Sequence, residues 1–190
     1  MAVKQAHLTT QAHTLIEEHC ATLNKRPDIA IDATCGNGFD TVFLAELVSD
    51  KVFGFDIQTI AITKTREQLE SKGLLHKVTL IKDGHQHMSK HVESKADIIM
   101  FNLGYLPQAD KTLTTLTQTS LSALEQALDL LSDSGILSIL CYPGHAEGKT
   151  ETHAVKAWLE HLPDQYKLDT HLANHPNDRS PVLFLVSVRA

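Results

Sequence analysis

Short apolar runs rich in branched residues alternate along this chain with longer segments of helical period, a pattern that admits few architectures. It predicts an α/β fold in which a mostly parallel sheet is covered by helices on both faces. The runs DIAIDAT, KVFGFDI, KVTLIKDG, ADIIMFNL, GILSILCYP, YKLDTHLA and PVLFLVSVRA are read as seven strands. TTQAHTLIEEHCATLN precedes the first as a helix, and DTVFLAELVS and QTIAITKTREQLESKG follow the first and second strands. TLTTLTQTSLSALEQALDLLSDSG is the longest helical stretch, with Gly135 as its stop, and AEGKTETHAVKAWLEHLP follows the fifth strand. Only the polar loop ANHPNDRSP separates the last two strands, so these are expected to pair antiparallel as a hairpin. With 190 residues and 42% apolar content, one domain over residues 1–190 is expected.

No stretch approaches the roughly 20 apolar residues that span a bilayer, and MAVKQAHLTTQAH lacks the apolar core of a signal peptide. The expected location is the cytoplasm, with no membrane partner. Cys20, Cys35 and Cys141 are odd in number and far apart, which suits reduced packing residues. A formal charge of −6 argues against wrapping nucleic acid along a broad basic surface, although twelve histidines make the balance less negative near pH 6.5.

The stretch DATCGNGFDT, residues 32–41, places two glycines directly after the first strand. In a doubly wound sheet that is where ligands rest on bare backbone. A nicotinamide or flavin fingerprint usually carries a third glycine at the position of Thr41, and it favours a diphosphate at the next helix terminus. Here that helix opens with Asp40, which suits a cationic ligand better. Asp56 ends FGFD about twenty residues beyond the turn, where a carboxylate can accept both ribose hydroxyls of an adenosine. Asp83 ends the next strand in IKDG, placed to meet an adenine amino group. Any one of these aspartates is an ordinary strand-end or cap residue. All three, together with the glycines, point to S-adenosylmethionine. Five βα units ending in a hairpin also match a Rossmann-like class I methyltransferase, with its seven-stranded sheet, better than a dehydrogenase.

FNLGYLP, residues 101–107, is a second informative stretch. It looks like the Asn-Pro-Pro-Tyr tetrapeptide of amino methyltransferases, with Leu103 and Gly104 in place of the prolines. The Asn102 side-chain oxygen and the Leu103 carbonyl would accept from an amine and aim its lone pair at a methyl donor. Tyr105 would lie against a nucleobase face.

DATCGNGFDT, FGFDIQ, KDGH, FNLGYLPQADK, YPGHAEGKTE and SPVLFLV occur in the order found in the YtqB/MnmM family, a family labelled as rRNA methylases. The resemblance covers nearly the whole chain. It implies methylation of the primary amine of 5-aminomethyl-2-thiouridine at the tRNA wobble position, with the anticodon arm as partner. Asp32, Gly36, Asn37, Gly38 and Asp40, with Thr41 beside them, would form the cofactor turn. Asp56, Ile57 and Gln58 would hold the ribose side, and Asp83, Gly84 and His85 would flank the adenine. Asn102, Gly104 and Tyr105 would face methyl and amine. Asp110, Lys111, Tyr142, Gly144, His145 and Glu151 would shape the substrate side. Phe39 stands where histidine is common in the family.

His145 is the first candidate to take a proton from the amine. Lys111, Lys149 and Arg179 fall in loops on the face of the glycine turn, where they would meet phosphates. A homodimer joining two such faces would enlarge that footprint. His85, His87 and His91 lie close in GHQHMSKH, but no cysteine or clear fourth ligand accompanies them, so no metal is expected. The competing readings are a methyltransferase of rRNA, of a protein amine or of a small metabolite, a nicotinamide-dependent oxidoreductase, and a non-catalytic binding module.

Overall fold

A computed structural model describes residues 8–23, 25–104, 115–173 and 175–189. The chain opens with α1 (Leu8–Thr22), then β1 (Ile29–Asp32), α2 (Phe39–Leu47), β2 (Lys51–Phe55) and α3 (Thr59–Ser71). It continues through β3 (Val78–Ile81), β4 (Ala96–Leu103), α4 (Thr117–Leu130), β5 (Leu131–Cys141), α5 (Ala146–Leu159), β6 (Tyr166–Leu172) and β7 (Val182–Val188). The strands form one seven-stranded sheet in the order β3-β2-β1-β4-β5-β7-β6. Strands β1 to β5 run parallel; β7 pairs antiparallel with β6, as the polar loop between the last two runs predicts, and also with β5.

Strand periodicity divides the core between the two sheet faces. Ile31, Ile99, Phe101, Leu137, Ile139 and Phe184 pack with Ala123, Leu124 and Ala127 of α4 and Val155 of α5. Ala30, Ile98, Met100, Leu140 and Leu183 point the other way, toward Ile16 of α1, Leu44 of α2 and Leu69 of α3. Helix α1 buries Leu8, Ala12, Ile16 and Cys20, one stripe at four-residue spacing. A register shift between Ala96 and Ile98 changes the parity of β4, so Ala96 joins the face of Ile99 and Phe101.

Helix α4 is shorter than the sequence reading, beginning at Thr117 instead of Thr112, and α5 stops at Leu159 instead of Pro163; the end of α4 changes the sheet as well. Helix α4 ends at Leu130 instead of running to Gly135, and SDSG lies within β5. Leu131 pairs with Ala96 in the sheet and is buried there, so its side chain gains more from the core than from another helical turn. Gly135 serves close packing inside the strand: an added Cβ would lie 2.8 Å from the Leu131 side chain.

Candidate active site

Strand order reverses at β1, which pairs with β2 on one side and β4 on the other. Beyond the carboxyl ends of these strands lies a cavity of about 730 Å3, within the ordinary size range for a small-molecule site. Its floor is the glycine turn. Ala33 N–H donates to the Met100 carbonyl, and Cys35 N–H donates to the Phe55 carbonyl, both at 2.9 Å. Gly36 and Gly38 have φ of 53° and 86°, the left-handed region that side chains resist. At Gly38 a Cβ would also lie 2.8 Å from Thr65 Cα, so this residue lets α3 close under the turn.

Asp56 stands at the rim with Oδ2 accepting from Gly36 N–H at 3.0 Å and Oδ1 accepting from Gln58 N–H at 2.9 Å. Burial raises its pKa against the opposing pull of these amides. Gly36, Asn37, Asp40, Asp56, Ile57, Gln58, Gly84 and His85 line the cavity, with Ile57 exposing 57% of its surface beside Asp56. The His85 ring is buried against Phe101 and hydrogen-bonds the Ala33 main chain. Burial pushes its pKa down to about 4, so it is a neutral imidazole.

Asp32, Gly38 and Thr41 do not reach the cavity wall. Asp32 is fully buried between Gly54 and Met100 in the sheet. Its Oδ2 accepts from the Thr41 hydroxyl at 2.5 Å, and its Oδ1 accepts from Thr34 N–H at 3.1 Å. Burial, followed by the nearby charge of Asp40, raises its pKa to about 7. These residues brace the turn from behind. Asp83 does line the cavity, but Oδ1 already accepts from His87 Nδ1 and Gly84 N–H, and Oδ2 from His91 Nε2. Those two imidazoles hold its carboxyl well below the usual range and leave only Oδ2 with a spare acceptor direction. Among the described residues, no group of three or more His, Cys, Asp or Glu side chains is arranged to hold a metal ion.

The other half of the cavity begins at Asn102 near the end of β4. Its N–H donates to Thr34 Oγ1 at 2.8 Å, and its Nδ2 donates to Asp40 Oδ2 at 2.5 Å. Gly104, Tyr142, Gly144, His145 and Arg179 line this half. Gly104 permits the approach of Tyr142, whose Cβ would lie 3.3 Å from an added Cβ. Tyr105, Asp110 and Lys111 lie outside the described residues. The chain returns at Thr115, whose N–H donates to the Gly104 carbonyl at 3.2 Å.

Glu151 is buried and away from the cavity wall. It accepts from the Thr115 and Ser120 hydroxyls, both at 2.6 Å, and so anchors the returning segment instead of touching a ligand. His145 caps α5: its Nδ1 accepts from Gly148 N–H at 3.1 Å, which commits that lone pair to the helix terminus. A Cβ on Gly148 would lie 2.2 Å from the Tyr142 carbonyl, so only glycine fits. Lys149 is exposed on α5 and does not line the cavity.

Thr9, Leu116 and Thr119 also line the cavity without having been singled out from the sequence, and so does Phe39, named there only as a departure from the family. Nor was His13, which reaches Asp40 from α1 with Nε2 2.5 Å from Oδ1. The available signal was faint: Thr9 and His13 are four apart, hence on one helix face beside the buried stripe.

The family described as "Putative rRNA methylase" matches residues 52–187. The chain belongs to this family. It is 36% identical over 167 residues to an Arabidopsis thaliana protein named "tRNA (mnm(5)s(2)U34)-methyltransferase, chloroplastic". That alignment takes in 82% of this chain and 60% of the relative, so the chain spans about three fifths of that relative's length. A crystal structure of a "putative rRNA-methylase" from Clostridium thermocellum superposes with a TM-score of 0.88 at 35% identity, covering 100% of both chains. A "putative methyltransferase" from Streptococcus mutans, in complex with SAH, superposes with a TM-score of 0.84 at 34% identity, covering 97% of this chain and 99% of that one. The fold is that of the class I methyltransferases, as the strand pattern predicts. Among the described residues no helix is long and apolar enough to cross a membrane.

Proposed function

We propose that the chain uses S-adenosylmethionine to methylate the primary amine of 5-aminomethyl-2-thiouridine at the tRNA wobble position, giving the 5-methylaminomethyl nucleoside. The observation that carries this reading is the sense of the Asn102 amide. Its nitrogen is held by Asp40, so its oxygen is the atom left to accept from an amine N–H at the cavity wall. The name of the plant relative supports the same substrate.

The cavity suits the donor. Asp40 and Asp56 put carboxylates on its wall, and Ile57 offers an apolar face beside Asp56. Gly36, Asp56, Ile57 and Gln58 would hold the adenosine end, with Gly84 and neutral His85 near the base. S-adenosylmethionine, when bound, supplies an electrophilic methyl group on a cationic sulfur. The neutral amine's lone pair would form the new N–C bond while the C–S pair stays with sulfur, leaving S-adenosylhomocysteine, and the methylated nitrogen would pass one proton to water in the open cavity. Asn102 contributes by aiming that lone pair, an orientation effect that needs no covalent enzyme intermediate. Among the described residues, Arg179, which lines the cavity and is exposed, is the cation best placed to meet a phosphate. The net charge of −6 favours a second reading, a methyltransferase of another amine such as a protein or small metabolite, or of rRNA.

Mass spectrometry of nucleosides from a strain lacking this gene separates the two. Accumulated 5-aminomethyl-2-thiouridine with loss of its methylated form is the expected result. An unchanged tRNA profile would favour the second reading.

A further inference from the structure

We propose that His13 is a positioning residue for methyl transfer, acting through Asp40 to hold the Asn102 amide in the sense that meets the amine; this rests on the amine-methylation reading above. Asp40 sits in the first turn of α2 with its side chain 7% exposed. Its two oxygens are divided between two donors, Oδ1 to His13 Nε2 and Oδ2 to Asn102 Nδ2, each at 2.5 Å. A carboxylate only accepts, so Asn102 must turn its NH2 toward Asp40 and its oxygen away. Without that partner the amide has two similar rotamers half a turn apart, and one of them turns its NH2 toward the amine, where it would donate to the lone pair that methyl transfer needs.

The amide is only as fixed as the carboxylate that holds it. His13 restrains that carboxylate from the far side, and the imidazole is itself restrained by stacking on Phe43, with ring centroids 3.8 Å apart and planes within 4°. Helix α1, α2 and the end of β4 are thereby linked into one chain of contacts, His13 to Asp40 to Asn102. None of the three residues is adjacent in sequence, and α1 contributes His13 from outside the stretches that carry the family resemblance.

Two substitutions separate the hydrogen bond from the packing. His13→Phe keeps a ring on Phe43 but loses the donor; His13→Gln loses the ring but carries an amide N–H at about the reach of Nε2. On tRNA bearing 5-aminomethyl-2-thiouridine, His13→Phe is expected to lower kcat about 30-fold, with KM for tRNA and calorimetric affinity for S-adenosylmethionine within about threefold of wild type. His13→Gln is expected to stay within about fivefold of the wild-type kcat. The reverse order, with the Phe variant active and the Gln variant slow, would assign His13 to packing and overturn the proposal; so would equal loss in both.

A second reading needs no substrate. In 15N spectra of the free protein, the Asn102 side-chain amide should carry one downfield, slowly exchanging proton that shifts upfield in His13→Phe and persists in His13→Gln. An Asn102 signal identical in all three proteins would contradict the relay, whereas a wild-type protein inert toward this tRNA would count against the proposed substrate alone.

Discussion

At the scale of single residues, the site is governed by where its carboxylates are buried and what they accept. Asp32, Asp40 and Asp56 all stand near the turn, but only Asp40 and Asp56 reach the cavity. Asp32 is shut behind it against Thr41 and Thr34, and burial raises its carboxyl from 3.8 to about 7. The folded protein therefore keeps this proton through a range in which the unfolded chain has lost it. Stability should fall as pH rises from about 4 to about 7 and level off above that, since the native state is the one binding the extra proton. Asp32→Asn removes the titration while preserving an acceptor for Thr34 N–H. Thermal melts at pH 5 and pH 8 should show a smaller drop in Tm across that interval for Asp32→Asn than for wild type. Equal drops in the two proteins would place the titration elsewhere.

At the scale of elements, helix termini and strand ends carry the site, and this decides what can be read without coordinates. The glycine turn, FNLGYLP and YPGH are legible because each interrupts an apolar strand with residues suited to a turn. Their approximate place at the carboxyl ends of the strands follows from parallel topology. The start of β5 is not legible in the same way. DLLSDSG has helical spacing and a glycine placed like a helix stop, yet the pairing of Leu131 with Ala96 draws the segment into the sheet. His13 is hidden for a related reason: nothing in TTQAH distinguishes it until α1 is laid beside α2. His145 shows the opposite limit, a residue visible in the sequence whose Nδ1 is engaged as the cap of α5. As a cap, His145→Ala should lower stability by about 1 kcal/mol, and His145→Asn should restore most of it. Denaturant titration of the three proteins checks this. Unchanged stability in His145→Ala would show that the cap contributes nothing.

At the scale of the whole molecule, two cores on opposite sheet faces hold the carboxyl ends of β1, β2, β3 and β4 in register, and the crevice lies where their order reverses. The glycine turn forms one half of that crevice and Asn102 the beginning of the other, so on the proposed function donor and acceptor would be brought together by the pairing of β1 with β4. The main-chain bond from Ala33 N–H to the Met100 carbonyl and that from Asn102 N–H to Thr34 Oγ1 tie the halves together. Reconstitution tests this arrangement most directly: purified protein, methyl-labelled S-adenosylmethionine and tRNA carrying 5-aminomethyl-2-thiouridine, followed by nucleoside analysis. Label should appear in 5-methylaminomethyl-2-thiouridine with wild type and be lost at least about 100-fold with Asn102→Ala, whose affinity for S-adenosylmethionine should stay within about tenfold. Label in any other nucleoside, or undiminished transfer by Asn102→Ala, would contradict it.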